Sequence, residues 1–259
     1  MPALRTALAL LRTIACVLVL PPLVLLYSVG AILTVLATGS TRASHAWYRS
    51  FAAVSLALAG TRIEVHGGEH LAPGQAYVIV SNHESNWDPP CIVAALPPLV
   101  TRFVAKRQLA AIPIFGTMLR VTGNIIVDRR SGGTDVRRVQ SGMSQRDPNV
   151  SILFFAEGTR TRDGRFGPFK MGAFVTALAF GLPILPIAIA GTRRVWHPGS
   201  KWIESGPVVV EVGDPIHLKS TEEESSRALR DRVHRAVAEL RTRARTRLRD
   251  RGIDPTGVD

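Results

Sequence analysis

Cysteine is nearly missing from this 259-residue chain. Cys16 and Cys91 are its two cysteines, far apart and without ligand-spaced neighbours, which excludes a disulfide framework and a structural zinc site. Cys91 follows two prolines at the start of an apolar run and reads as a buried, inert thiol. A second absence lies at 83–87, where His-Glu opens as in a zinc-protease helix but Trp87 stands where the second histidine is needed. There is no G-x-S-x-G run for a serine nucleophile elbow, and no internal repeat. Aromatic residues are missing from the arginine-rich stretch 227–251, so bases would have nothing to stack on and nucleic acid is not expected as a partner.

Charge is missing too, from Thr13 through Thr41. The centre of that stretch, IACVLVLPPLVLLYSVGAILTVLA, would extend roughly 36 Å as a helix, more than the hydrocarbon core of a bilayer requires. Pro21 and Pro22 interrupt it, and a second apolar stretch, Phe51 to Gly60, follows a polar connection. A kinked span and two helices dipping into one leaflet both suit this pattern. A cleaved signal peptide, with Arg5 and Arg12 ahead and Val35-Leu36-Ala37 as a cleavage-like site, would need a shorter apolar run of about 7–15 residues.

What is present beyond Gly60 is an alternation of short β-branched runs with longer mixed segments. That pattern predicts an α/β fold, a mixed sheet flanked by helices and preceded by an N-terminal membrane-embedded helical segment. The expected strands are Ile63–Val65, Tyr77–Val80, Arg102–Ala105, Asn124–Val127, Ser151–Phe155, Ile184–Ile189 and Val208–Val212. Helices are expected over Pro89–Leu96, through Val136, Val139 and Met143 on one face, and over Met171–Phe180, closed by Gly181. A capping signal at 220–224 precedes Leu229, Val233, Val237, Leu240, Ala244 and Leu248 at helical spacing. The domain reading is 1–60 membrane-associated helices, 61–219 the α/β domain, and 220–259 an arginine-rich helix and tail. The net charge is +12 and the pI about 11.0, which draws the chain to phosphates of any kind. Ten arginines against Asp231, Glu239 and Asp250 give residues 227–251 a surplus of seven. A solvated helix face and a membrane or partner surface both account for that surplus.

The chemistry gathers at four strand ends. In SNHESNWDPP, residues 81–90, His83 lies just past a strand, and Asp88 looks like an N-cap before proline. Five positions along a helix rotate about 140°, so only a turn can bring the two side chains together. The carboxylate would then fix one ring nitrogen of His83 and leave the other as a base. In FFAEGTR, residues 154–160, Glu157, Gly158, Thr159 and Arg160 turn away from a second strand, the glycine allowing close backbone approach to a ligand. Arg129 and Lys106 end two more, so that with Arg160 three cations are expected to surround one anion at the sheet edge.

Together these blocks resemble the glycerolipid acyltransferase family, specifically the bacterial 1-acyl-sn-glycerol-3-phosphate acyltransferases. Asn82, His83 and Asp88 match its NH-x4-D motif; Gly123, Ile125, Ile126, Val127 and Arg129 its second motif; Phe155, Glu157, Gly158, Thr159 and Arg160 its FPEGTR motif, with Ala156 in place of the proline; and Leu185-Pro186-Ile187 its fourth. Lys106-Arg107, Pro113, Gly116 and Phe169–Gly172 also match, so the resemblance runs from Tyr77 to Gly191. It implies acyl transfer from a thioester to the sn-2 hydroxyl of lysophosphatidate, with His83 as base, Asp88 orienting it, and Lys106, Arg129, Glu157, Gly158, Thr159 and Arg160 on the substrate side. No metal or cofactor is implied; acyl-CoA or acyl carrier protein is the co-substrate and membrane lipid the partner. The cytoplasmic face of the cell membrane is then the expected location, with a chain lacking residues 1–60 keeping its fold but losing activity on bilayers. Glycerol-3-phosphate, a lyso-ornithine lipid or another lysophospholipid is an alternative acceptor, and a non-enzymatic basic membrane module is the alternative of a different class.

Overall fold

The computed structural model describes residues 2–69, 71, 73–128, 132–161, 164–219 and 224–256. Arg129, Asp163 and the 220–223 part of the expected capping signal lie outside the described residues. Helix α1 (Pro2–Thr38) runs unbroken through Pro21 and Pro22, and its Thr6–Thr38 part is long and apolar enough to cross a membrane. Leu11, Val17, Leu18, Leu26, Leu33 and Leu36 are more than half exposed, an apolar surface suited to lipid and not to water.

Helix α2 (His45–Leu58) folds back on α1. Gly30 makes this possible: a Cβ there would lie 2.6 Å from the Trp47 ring, whose Nε1 donates to Thr34 Oγ1 at 2.8 Å. The pair is not a detachable anchor, because Cys16, Leu56 and Ala59 are buried in one cluster with Ile79, Cys91 and Ile92 of the α/β body. Removing residues 1–60 would therefore expose part of that cluster, which counts against the expectation that the rest keeps its fold without them.

Among the described residues seven strands form one sheet: β1 (Thr61–His66), β2 (Val78–Ser81), β3 (Val100–Lys106), β4 (Ile125–Val127), β5 (Val150–Phe155), β6 (Ile184–Ala190) and β7 (Gly206–Val212). The order is β1-β7-β6-β2-β5-β3-β4, parallel throughout except between β6 and β7. Every residue of β2 and β6 is buried, as expected for parallel strands covered on both faces. Alternation assigns the faces: Ile79, Leu185, Ile187 and Ile189 point to the side of α3 (Asp88–Ala95) and α8 (Thr192–Trp196). Val78, Val80, Ile184 and Ala188 point to the side of α6 (Gly132–Ser144), α7 (Gly172–Phe180) and α9 (Ser226–Arg249). Pro186 is tolerated inside β6 because the antiparallel ladder with β7 begins one residue later, at Ile187.

Three expectations change. Asn124 does not open β4; its Oδ1 instead accepts the Phe103 N–H at 2.9 Å, a side chain replacing a ladder bond. Helix α9 is capped by Ser225, which accepts from the Ala228 N–H at 3.2 Å, one turn past the expected signal. Between β3 and β4 lie two short helices, α4 (Arg107–Ala110) and α5 (Phe115–Val121), that no periodicity announces.

Candidate active site

The parallel strands β2, β3, β5 and β6 end along one edge, so the segments that follow them meet there. His83 Nδ1 donates to Asp88 Oδ2 at 2.7 Å. The same oxygen accepts the backbone N–H groups of Glu84 at 2.7 Å and Ser85 at 2.8 Å, and Oδ1 accepts from the Thr192 hydroxyl. Asp88 is thus the first residue of α3, with Trp87 as its N-cap. Its carboxylate folds back onto the preceding loop and does not cap the helix ahead, a correction to the N-cap reading. The Asp88 carboxylate is fully buried and the imidazole mostly so. Phe155 stacks against that ring with centroids 4.0 Å apart, leaving Nε2 uncommitted by any hydrogen bond among the described residues.

Asn82 docks the loop to β6, its amide donating to Ile189 O and accepting from Ile189 N–H, both at 2.9 Å. Glu157 is also buried and accepts the His83 N–H and the Gly167 N–H, each at 2.9 Å. Desolvation raises its pKa above the ordinary carboxylate value, and the two N–H donors pull it partly back. Its role here is to hold two loops. Gly158 adopts φ +77°, a left-handed backbone that favours glycine at this turn. Thr159 is exposed.

A cavity of about 540 Å³ opens over the imidazole. His83, Asn86, Lys106 and Arg160 are among its polar lining residues, and Arg160 Nη1 donates to Asn86 Oδ1 at 2.5 Å. Tyr27, Trp47, Phe51, Val93, Phe103 and Met118 are among the side chains that form a long apolar wall. Of the expected site residues, then, His83, Lys106 and Arg160 reach one space and Asp88 supports it from below. Glu157 and Gly158 shape a loop beside it. Sequence reasoning missed Thr192, Asn86 and the wall from α1, α2 and α5. Neither Thr192 nor the wall was signalled: Thr192 stands 104 positions from Asp88, and the wall needs the tertiary pairing of distant helices.

The Acyltransferase family model matches residues 62–190. A 1-acyl-sn-glycerol-3-phosphate acyltransferase of Haemophilus influenzae is 34% identical over 169 residues, 63% of this chain and 69% of that protein. The human 1-acyl-sn-glycerol-3-phosphate acyltransferase alpha is 34% identical over 182 residues, 70% of this chain and 64% of that protein. Against the human relative, as against the bovine one at 63%, the match spans a little under two thirds of the relative's length. The crystal structure of the 1-acyl-sn-glycerophosphate (LPA) acyltransferase PlsC from Thermotoga maritima superposes with a TM-score of 0.74 at 23% identity, covering 91% of this chain and 97% of that one. That likeness establishes a common fold.

Proposed function

Since this chain belongs to the acyltransferase family, we propose that it transfers a fatty acyl group from an acyl thioester to the sn-2 hydroxyl of lysophosphatidate, forming phosphatidate. The observation that carries this reading is the His83–Asp88 hydrogen bond at 2.7 Å at a cavity lined by His83, by the cations Lys106 and Arg160, and by many apolar side chains. A volume of about 540 Å³ suits a single lipid-like ligand. The names of the relatives supply the acceptor.

In this mechanism His83 Nε2 takes the proton of the sn-2 hydroxyl as its oxygen attacks the thioester carbonyl. Asp88 holds the ring tautomer and stabilises the imidazolium. The C–S bond then breaks, and the proton passes to a thiolate whose acid has a pKa near about 8.5, so no strong acid and no enzyme nucleophile are called for. Lys106 and Arg160, both lining the cavity, hold the phosphate, and the family resemblance adds Arg129. The apolar wall takes the acyl chain, which spares about 0.8 kcal/mol for each CH₂ kept from water. The exposed apolar face of α1 seats the cavity against the cytoplasmic leaflet, where both candidate donors, acyl-CoA and acyl carrier protein, are found.

The test is an acceptor panel in lipid vesicles, with radiolabelled acyl-CoA and acylated carrier protein run in parallel. Label should enter phosphatidate when lysophosphatidate is supplied. Label appearing instead on glycerol-3-phosphate, a lyso-ornithine lipid or another lysophospholipid would reassign the acceptor; no transfer to any of them would leave the binding-module reading.

A further inference from the structure

Seven of the ten arginines in 227–251 are engaged by the chain itself. Arg230 pairs with Asp231, Arg232 with Glu224, Arg243 and Arg247 with Glu211, and Arg251 with Glu64. The remaining two of the seven reach furthest inward. Arg241 donates to Glu84 Oε1 through Nε at 3.0 Å, with Nη2 ion-paired to the same oxygen at 2.8 Å, and Arg245 Nη2 donates to that oxygen at 3.1 Å. Glu84 is fully buried and follows His83 directly.

We propose that Arg241 and Arg245 of α9, acting through Glu84, are positioning residues for the His83–Asp88 pair. The proposal rests on the acyl-transfer reading for its kinetic consequences, though not for its geometry. Residues 241 and 245 lie one helical turn apart, on the same face. Both also donate to Gly164 O, at 2.6 and 3.0 Å, and the Arg241 guanidinium lies 5.5 Å over the Phe166 ring. Gly164 and Phe166 belong to the loop after Arg160, the loop whose Gly167 N–H holds Glu157 and whose Thr161 N–H donates to His83 O at 3.0 Å. Two guanidinium groups therefore tie the segment 83–88 to the segment 157–167 from beneath the cavity.

The link to chemistry is the Glu84 backbone. Its N–H donates to Asp88 Oδ2, the oxygen that also receives His83 Nδ1. Where the arginines hold Glu84, they set the orientation of the carboxylate that orients the base. Glu84 Oε2 has no hydrogen-bond partner among the described residues, so the side chain depends on the arginine contacts to Oε1. Removing both cations would leave a buried carboxylate unpaired, which either protonates or pulls its segment toward water. A displacement of about 1 Å at reacting groups can cost about 10²-fold in rate.

The experiment uses the full chain in lysophosphatidate vesicles with two variants. Arg241→Met/Arg245→Met removes the tie, and Arg241→Lys keeps one positive charge but loses the forked contact, which a lysine cannot reproduce. We expect kcat to fall about 10²-fold in the first and about tenfold in the second, with KM for donor and acceptor changed by no more than about twofold. The downfield Nδ1 proton resonance of His83 should shift or vanish in both. If the double variant does not fold, Arg241→Lys decides alone. Unchanged kcat and an unchanged Nδ1 resonance in folded Arg241→Lys would overturn the proposal. So would a raised KM with kcat intact, which would make the arginines ligands for an anionic substrate. If the parent protein transfers no acyl group, the acyl-transfer reading has failed, and the Nδ1 resonance of the variants still judges this inference.

Discussion

Asp88 accepts three donors on one oxygen and a hydroxyl on the other, so the residue has no room for an amide. In Asp88→Asn an NH₂ must face either the two backbone N–H groups or the Thr192 hydroxyl, and His83 loses the charge that stabilises its imidazolium. Activity of that variant should fall by at least about 10²-fold with the fold retained, read by initial rates and circular dichroism. The pairing of His83 with Asp88 was legible in sequence, because two prolines after Asp88 and a buried strand before His83 leave only a turn between them. Thr192 was not, standing 104 positions along the chain from its partner. Cys91 was read as inert, and the structure gives the reason: it is fully buried, and desolvation together with the Asp88 charge pushes its thiol well above the ordinary value. Iodoacetamide at pH 8 should leave Cys91 unlabelled in native protein and label it after denaturation, as mass spectrometry of the peptide would show.

At the scale of elements, the α1–α2 connection is fixed to the sheet by one buried guanidinium. Arg102 of β3 donates to Thr122 O at 2.6 Å, to Thr101 O at 2.7 Å, to Ser44 Oγ at 3.0 Å and to Thr41 O. Arg102→Met keeps much of the volume but orphans these acceptors. Stability in urea titration should drop by at least about 2 kcal/mol, with α2 loosened from the cavity wall. Sequence reading expected Arg102 to open a plain strand, since nothing in a run of β-branched residues marks an arginine as buried. Several elements were readable: α9 shows helical spacing of its buried residues, and β2, β5, β6 and β7 show as short runs rich in apolar, β-branched residues. Helices α4 and α8, only four and five residues long, are too short for any period to show.

The molecule as a whole separates its two basic and apolar faces. Helices α1 and α2 cover one side of the sheet and α9 the other, so the arginine surplus does not lie beside the apolar helix that would meet lipid. Most of those arginines are already matched by acidic side chains or backbone carbonyls of the same chain, and charge counting along the sequence could not see this. Attachment to vesicles should therefore be held by apolar burial and persist when salt is raised from about 0.1 to 1 M, where the Debye length shrinks to about 3 Å. Flotation of the protein with vesicles at both salt levels measures it; release at high salt would return the attachment to the arginines.

The most direct measurement of the central claim is the rate of labelled acyl transfer to lysophosphatidate in vesicles by the parent chain and by His83→Ala, each shown to be folded. A base held by Asp88 predicts that phosphatidate forms with the parent and that the rate falls by at least about 10²-fold in the variant. Equal rates in the two proteins would contradict it.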